Sequence, residues 1–188
     1  MRAGYLGAFP ADGTTHPLLL ALVHELAAAA PSVFGAHALA LWWLFKYDST
    51  ANPEGIGIHA DPAAVNVNIW LADDAACVDG GGLAIYSHVP PLEQETQRVN
   101  HEFESAAEET ALRERLMAEG EVVTVPYACN RAVVFVSDQY HESLPFRFAP
   151  GYANRRCNLT LLFGDRWSVT AAASPPAADA AGGDGWDI

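Results

Sequence analysis

At 188 residues, 51% hydrophobic and 18% charged, the chain is long enough for one sizeable core, too short for two ordinary domains and too apolar for a disordered chain. Its 23 acidic residues against 10 basic ones leave a net charge of −13, a surface that repels polyanions and disfavours nucleic acid as a partner. No apolar run spans a bilayer, since LALWWLF is broken by Lys46 and Asp48, and MRAGYLGAFPADG lacks the apolar core of a secretion signal, so the expectation is a cytoplasmic chain with no membrane partner.

Leu18, Leu19, Leu22, Val23 and Leu26 fall at helical spacing and predict a helix over residues 15–30, with Thr14 or Thr15 as N-cap and Pro31 at its end. LALWWLFKY (39–47) predicts a strand. GIGIHAD (55–61) and VNVNIWLA (65–72) also read as strands, followed by a turn at Gly80, Gly81 and Gly82 and a strand in LAIYSHV. Residues 93–120 shift to Glu, Gln, Arg and Ala, with Phe103, Ala107, Ala111 and Leu112 as a thin apolar stripe. They predict one or two surface helices inserted between strands, either bordering a site or simply solvated. EVVTVPY, NRAVVFVSDQYHES and RRCNLTLLFG supply further strands. The Ala-, Pro-, Gly- and Asp-rich stretch 171–188 reads as a disordered tail after a single domain over 1–170, and there is no internal repeat. Cys77, Cys129 and Cys157, an odd number without metal-ligand spacing, read as reduced thiols.

His59 and Asp61 are two residues apart, so on a strand both side chains project from one face and can chelate one ion. With the later His141 they supply two imidazoles and one carboxylate, the ligand set that leaves three open positions on an octahedral Fe(II). An isolated His-x-Asp pair is more often a solvated loop, and His88 and His101 read as non-ligands. On the last strand Arg156, Asn158 and Thr160 alternate with Cys157, Leu159, Leu161 and Phe163. VNVNIWLA divides in the same way, Asn66 and Asn68 on one face and Val65, Val67, Ile69 and Leu71 on the other. We read the polar face as inward, which aims Arg156 at the interior and turns Arg155 outward. The competing reading puts the polar face in water.

His-x-Asp early, a lone histidine late, then Arg-x-Asn on the following strand: over residues 39–164 this order resembles the 2-oxoglutarate and Fe(II)-dependent oxygenase superfamily, with a Gly-Gly-Gly-Leu turn closer to its prolyl-hydroxylase-like and small-molecule branches. The resemblance implies a mainly β fold with flanking helices, a double-stranded β-helix or jelly roll. It implies Fe(II) held by His59, Asp61 and His141, and 2-oxoglutarate bound by Arg156 with Asn158, Asn68 and Tyr47. Tyr47 is equally well read as a buried tyrosine bonded to backbone. The implied reaction uses O2 to hydroxylate a C–H bond of a small molecule or peptide side chain. Asp61 sets the chain apart from halogenating relatives, which lack that carboxylate. Two other readings stay open. A non-catalytic or cupin-like metal-binding jelly roll would carry more histidines, including His-x-His. An AlkB-like demethylase shares Arg-x-Asn-x-Thr but requires a second arginine where Leu162 stands.

Overall fold

The computed structural model describes residues 4–91 and 106–166. The expectations for Phe103, His101 and the 171–188 tail lie outside them. Ten strands alternate with short helices: β1 (Tyr5–Ala8), α1 (Pro17–Ala29), α2 (Pro31–Phe34), β2 (Leu39–Tyr47), β3 (Val65–Trp70), β4 (Cys77–Gly80), β5 (Leu83–Tyr86), α3 (Ala106–Glu119), β6 (Val122–Val125), β7 (Ala132–Val136), β8 (His141–Ser143), β9 (Phe146–Phe148) and β10 (Arg156–Phe163). They form a five-stranded antiparallel sheet in the order β1-β2-β10-β3-β7, a three-stranded sheet β6-β5-β8 and a β4-β9 pair, the layered arrangement of a jelly roll.

Side-chain parity decides what lies between the sheets. On the large sheet Val65, Val67, Ile69, Leu159, Leu161 and Phe163 pack against Leu19 of α1 and Phe34 of α2. Their alternates Asn66, Asn68, Arg156, Asn158 and Thr160 point the other way, and all are buried. The polar face is therefore inward. On the small sheet Leu83 and Ile85 face inward with Trp70 and Val133, whereas Ala84 and Tyr86 face α3, which covers them with Leu112 and Leu116. Each sheet thus has a helix on its outer face and the site on its inner one. Among the described residues no helix is long and apolar enough to cross a membrane.

Several local expectations change. The first helix is capped by His16, whose Nδ1 accepts from the Leu18 N–H at 3.2 Å, because Pro17 takes the first helical position that proline favours. Thr14 instead donates to the Phe9 carbonyl and accepts from the Trp42 indole. The segment 55–61 forms no full strand; it pairs through a single bridge between His59 and His141. Its alternation survives, since Ile58 and Ala60 pack towards α3. Strands β1, β4 and β9 were not anticipated. On α3 the buried residues are Leu112 and Leu116.

Candidate metal centre

His59 and His141 oppose each other across a backbone pair that exchanges both hydrogen bonds, His59 N–H to the His141 carbonyl at 3.0 Å and the reverse at 2.8 Å. Their rings stand 4.2 Å apart. Asp61 follows, its backbone N–H donating to the Ser137 carbonyl and its own carbonyl accepting from the Ser137 hydroxyl, both at 3.1 Å. The three predicted ligands therefore converge: one ligand atom from each lies within 4.8 Å of the others. Nε2 of His141 is 3.4 Å from Asp61 Oδ2, and Nε2 of His59 is 3.9 Å from Asp61 Oδ1.

The proton inventory shows what such a triangle requires. Nδ1 of His59 lies 2.8 Å from the Gly57 carbonyl, and Nδ1 of His141 lies 2.8 Å from that of Gln139. A carbonyl offers only lone pairs, so each Nδ1 carries a proton, which leaves Nε2 as the ring atom that can present a lone pair to an ion. With both rings neutral, three acceptors face one another, and a cation between them reconciles that arrangement. A histidine bonded through its other ring nitrogen to a backbone carbonyl is also the usual support for a metal-ligating imidazole. Burial, reinforced by repulsion from His141, pulls the His59 pKa down to about 4. Burial pushes the Asp61 carboxyl up, but His141, His59 and the Asn66 amide outweigh it and hold Asp61 below the ordinary carboxylate range. A neutral His59 and an ionised Asp61 are protonation states a divalent ion needs, and with His141 the residues present fit Fe(II).

Beyond the triad lies a second charged group. Arg156 is 2% exposed, yet among the described residues no carboxylate forms an ion pair with it. Burial pulls its pKa below the ordinary guanidinium value. Its Nε donates to the Gly81 carbonyl and its Nη1 to Asn158 Oδ1, both at 3.2 Å. The guanidinium sits 5.2 Å from the ring centres of both Tyr47 and Phe146. The glycine turn delivers that carbonyl: at Gly80 (φ +67°) a Cβ would stand 1.9 Å from the Pro145 carbonyl oxygen, so only glycine lets the chain pass. The neighbouring Arg155 turns outward and pairs with Asp48, and Tyr47 is buried, its pKa raised by that burial.

Amides connect the two charged centres. Asn158 Nδ2 donates to Asn68 Oδ1 at 3.4 Å and to Thr160 Oγ1 at 3.2 Å, and Thr160 donates to Asn68 Oδ1 at 3.0 Å. Asn68 Nδ2 donates to Asn66 Oδ1 at 2.9 Å, and Asn66 Nδ2 to Asp61 Oδ2 at 2.8 Å. Arg156 can only donate and Asp61 only accept, so the ends fix the orientation of every amide between them. Asn68, read from sequence as a cosubstrate contact, is a link in this relay; Asn66 had been given no role, because parity alone could place it inside without naming its partner.

The pocket between triad and arginine is about 30 Å³, walled also by Trp43, Phe45, Leu83 and Ser143. Ser143 lines in addition a wider cleft of about 800 Å³ bounded by Asn52, Gly57, Glu109, Arg113 and Glu142. The triad lines the small pocket and not the wider one. The walls of the wider cleft are brought together from segments far apart in the chain, so no single stretch of sequence marks it.

No family model matches the chain, and none of the curated proteins matches it. Among solved structures it is similar to the non-haem 2-oxoglutarate-dependent epimerase SnoN of nogalamycin biosynthesis (TM-score 0.54, 15% identity, 85% of this chain and 62% of that one). It is also similar to the carbocyclase SnoK of the same biosynthesis (TM-score 0.52, 16% identity, 96% and 73%), and to a prolyl 4-hydroxylase from Phytophthora capsici (TM-score 0.51, 18% identity, 88% and 48%). The chain spans about half the length of the prolyl 4-hydroxylase and about three-fifths of that of SnoN. What these proteins share with it at such identities is the fold: this chain has the jelly roll on which 2-oxoglutarate-dependent non-haem enzymes are built.

Proposed function

We propose that the protein is an Fe(II)- and 2-oxoglutarate-dependent dioxygenase that hydroxylates a C–H bond of a small molecule or peptide side chain. The observation that carries this reading is Arg156, a buried cation that no described carboxylate neutralises. Burying an unpaired charge costs several kcal/mol, and a plain metal-binding jelly roll has no use for that expense. A dicarboxylate with one end on the metal and the other on Arg156 accounts for both centres.

In this reading His59 and His141, through Nε2, and Asp61 hold Fe(II). When bound, Fe(II) and 2-oxoglutarate supply the oxidising chemistry, O2 placing one oxygen atom in the substrate C–H bond and the other in succinate as CO2 leaves. The chain's own contribution is binding, orientation and exclusion of water. Arg156 takes the distal carboxylate through its planar fork, with the Tyr47 hydroxyl as a neighbouring donor, while Trp43, Phe45 and Leu83 wall the pocket against solvent. A pocket of about 30 Å³ holds roughly one water. Cosubstrate entry therefore moves Arg156 and the aromatic wall outward, at the cost of two long 3.2 Å bonds. The substrate approaches from the cleft of about 800 Å³, within the usual range for small-molecule sites. Three free thiols support a reducing, cytoplasmic setting.

Anaerobic titration with Fe(II) and 2-oxoglutarate tests the proposal. A visible charge-transfer band that needs both additions and saturates at one equivalent is expected. Tight iron binding with no such band would leave the cupin-like binder in its place.

A further inference from the structure

Helix α3 carries charged side chains that reach the residues next to both histidines of the metal centre. Arg113 grips Glu142 with two bonds, Nε to Oε1 at 2.8 Å and Nη2 to Oε2 at 2.6 Å, and Nη2 also reaches Glu109 Oε1 at 3.0 Å. Glu142 is the residue after His141 on β8, its side chain pointing to α3 because that of His141 points inward. Glu109 Oε1 accepts the backbone N–H of Ile58, the residue before His59, at 3.2 Å. The Tyr86 hydroxyl donates to Glu142 Oε1 at 2.5 Å. One guanidinium thus links the neighbours of both histidines. The chain is drawn close beneath it: a Cβ on Gly57 would stand 2.4 Å from Glu109 Oε1.

We propose that Arg113, with Glu109 and Glu142, is a positioning cluster that sets the separation and tilt of His59 and His141, making the inserted helix a determinant of metal affinity. The inference rests on His59, Asp61 and His141 holding the metal. Attachment of the helix does not need the cluster, because Leu112 and Leu116 already pack it on Ile58, Ala60, Ala84 and Tyr86. The ionic contacts add direction. A bidentate arginine–carboxylate pair fixes relative orientation in a way that apolar packing does not. Since direct hydrogen-bond partners of metal ligands govern affinity by about 10- to 100-fold, a cluster acting one residue further out is expected at or below the lower end of that range.

Co(II) alone serves as the probe, its visible spectrum reporting ligand geometry while the titration gives affinity. Arg113→Met is expected to weaken Co(II) binding about tenfold and to change the spectrum. Gly57→Ala displaces the flexible Glu109 carboxylate at a position whose backbone lies outside the left-handed region, and is expected to weaken binding about threefold with the fold intact, a smaller effect than the outer-partner range because Arg113–Glu142 remains. Leu116→Val loosens the same helix through packing alone and should lower the melting temperature while leaving affinity and spectrum unchanged. Wild-type affinity and spectrum in Arg113→Met, or in Gly57→Ala should Arg113→Met fail to fold, would overturn the cluster's role; so would an equal loss in Leu116→Val. A wild-type protein that takes up no Co(II) would instead overturn the metal site itself, and the cluster's role with it.

Discussion

Replacing Arg156 with Met separates a structural arginine from a functional one, because removing the first costs stability and removing the second costs cosubstrate affinity. The side chain is nearly fully buried, its protein contacts are two 3.2 Å bonds and two ring faces, and no described carboxylate pairs with it. Two such bonds from a charged donor contribute about 1.5–3 kcal/mol each. The desolvation they offset is several kcal/mol, so losing charge and bonds together leaves a small net change. Ligand-free Arg156→Met should therefore unfold in denaturant within about 2 kcal/mol of the wild type. Its affinity for 2-oxoglutarate, read from the charge-transfer titration, should fall by about 2–5 kcal/mol, or roughly 30-fold to several thousandfold. Arg155→Ala is the control. Its ion pair with Asp48 is partly exposed and worth under about 1 kcal/mol, and cosubstrate affinity should not change. A loss of more than about 3 kcal/mol in Arg156→Met, with the cosubstrate requirement intact, would make Arg156 a structural residue and refute the reasoning.

Three further outcomes follow from the same geometry. His141→Ala should abolish tight Fe(II) binding and turnover with the circular dichroism spectrum retained, measured by titration and decarboxylation of 2-oxoglutarate; full binding in this variant would remove it from the ligand set. Asn66→Ala takes away the 2.8 Å bond to Asp61 Oδ2 and should weaken metal binding about 10- to 100-fold, a result that unchanged affinity would contradict. Gly80→Ala meets the Pro145 carbonyl at 1.9 Å from a left-handed backbone and should cost about 4 kcal/mol or more in denaturant unfolding; a loss below about 1 kcal/mol would mean the turn can open.

Parity made the last strand readable. Arg156, Asn158 and Thr160 could have faced either water or the interior from alternation alone, and the matching division in VNVNIWLA favoured the interior. The packing explains why: Leu159, Leu161 and Phe163 are needed by α1 and α2, which leaves the polar row nowhere but between the sheets. The His-x-Asp spacing was readable for the same reason, since Ile58 and Ala60 alternate with the ligands even though a single bridge is all the sheet pairing the segment makes. Strands YLGA, CVDG and FRF were not readable, being three or four residues long and paired only at sheet margins. The Arg113 cluster gave half a signal. Glu109 and Arg113 stand four apart on a helix, the spacing of any surface pair, while Glu142, 29 residues from Arg113, has no local pattern that could announce it.

The amide row has a further consequence. Interior positions on such a sheet are usually apolar, because each buried amide that lacks a partner costs about 1–3 kcal/mol. Asn66, Asn68, Asn158 and Thr160 avoid that cost only as a continuous set, each accepting from the Arg156 side and donating towards Asp61. The row is stable in one orientation because a donor-only group stands at one end and an acceptor-only group at the other. Reversing a single amide would set two donors or two acceptors face to face. The geometry of the metal carboxylate is thereby tied to the guanidinium that awaits an anion, and a substitution in the middle of the row disturbs both centres at once.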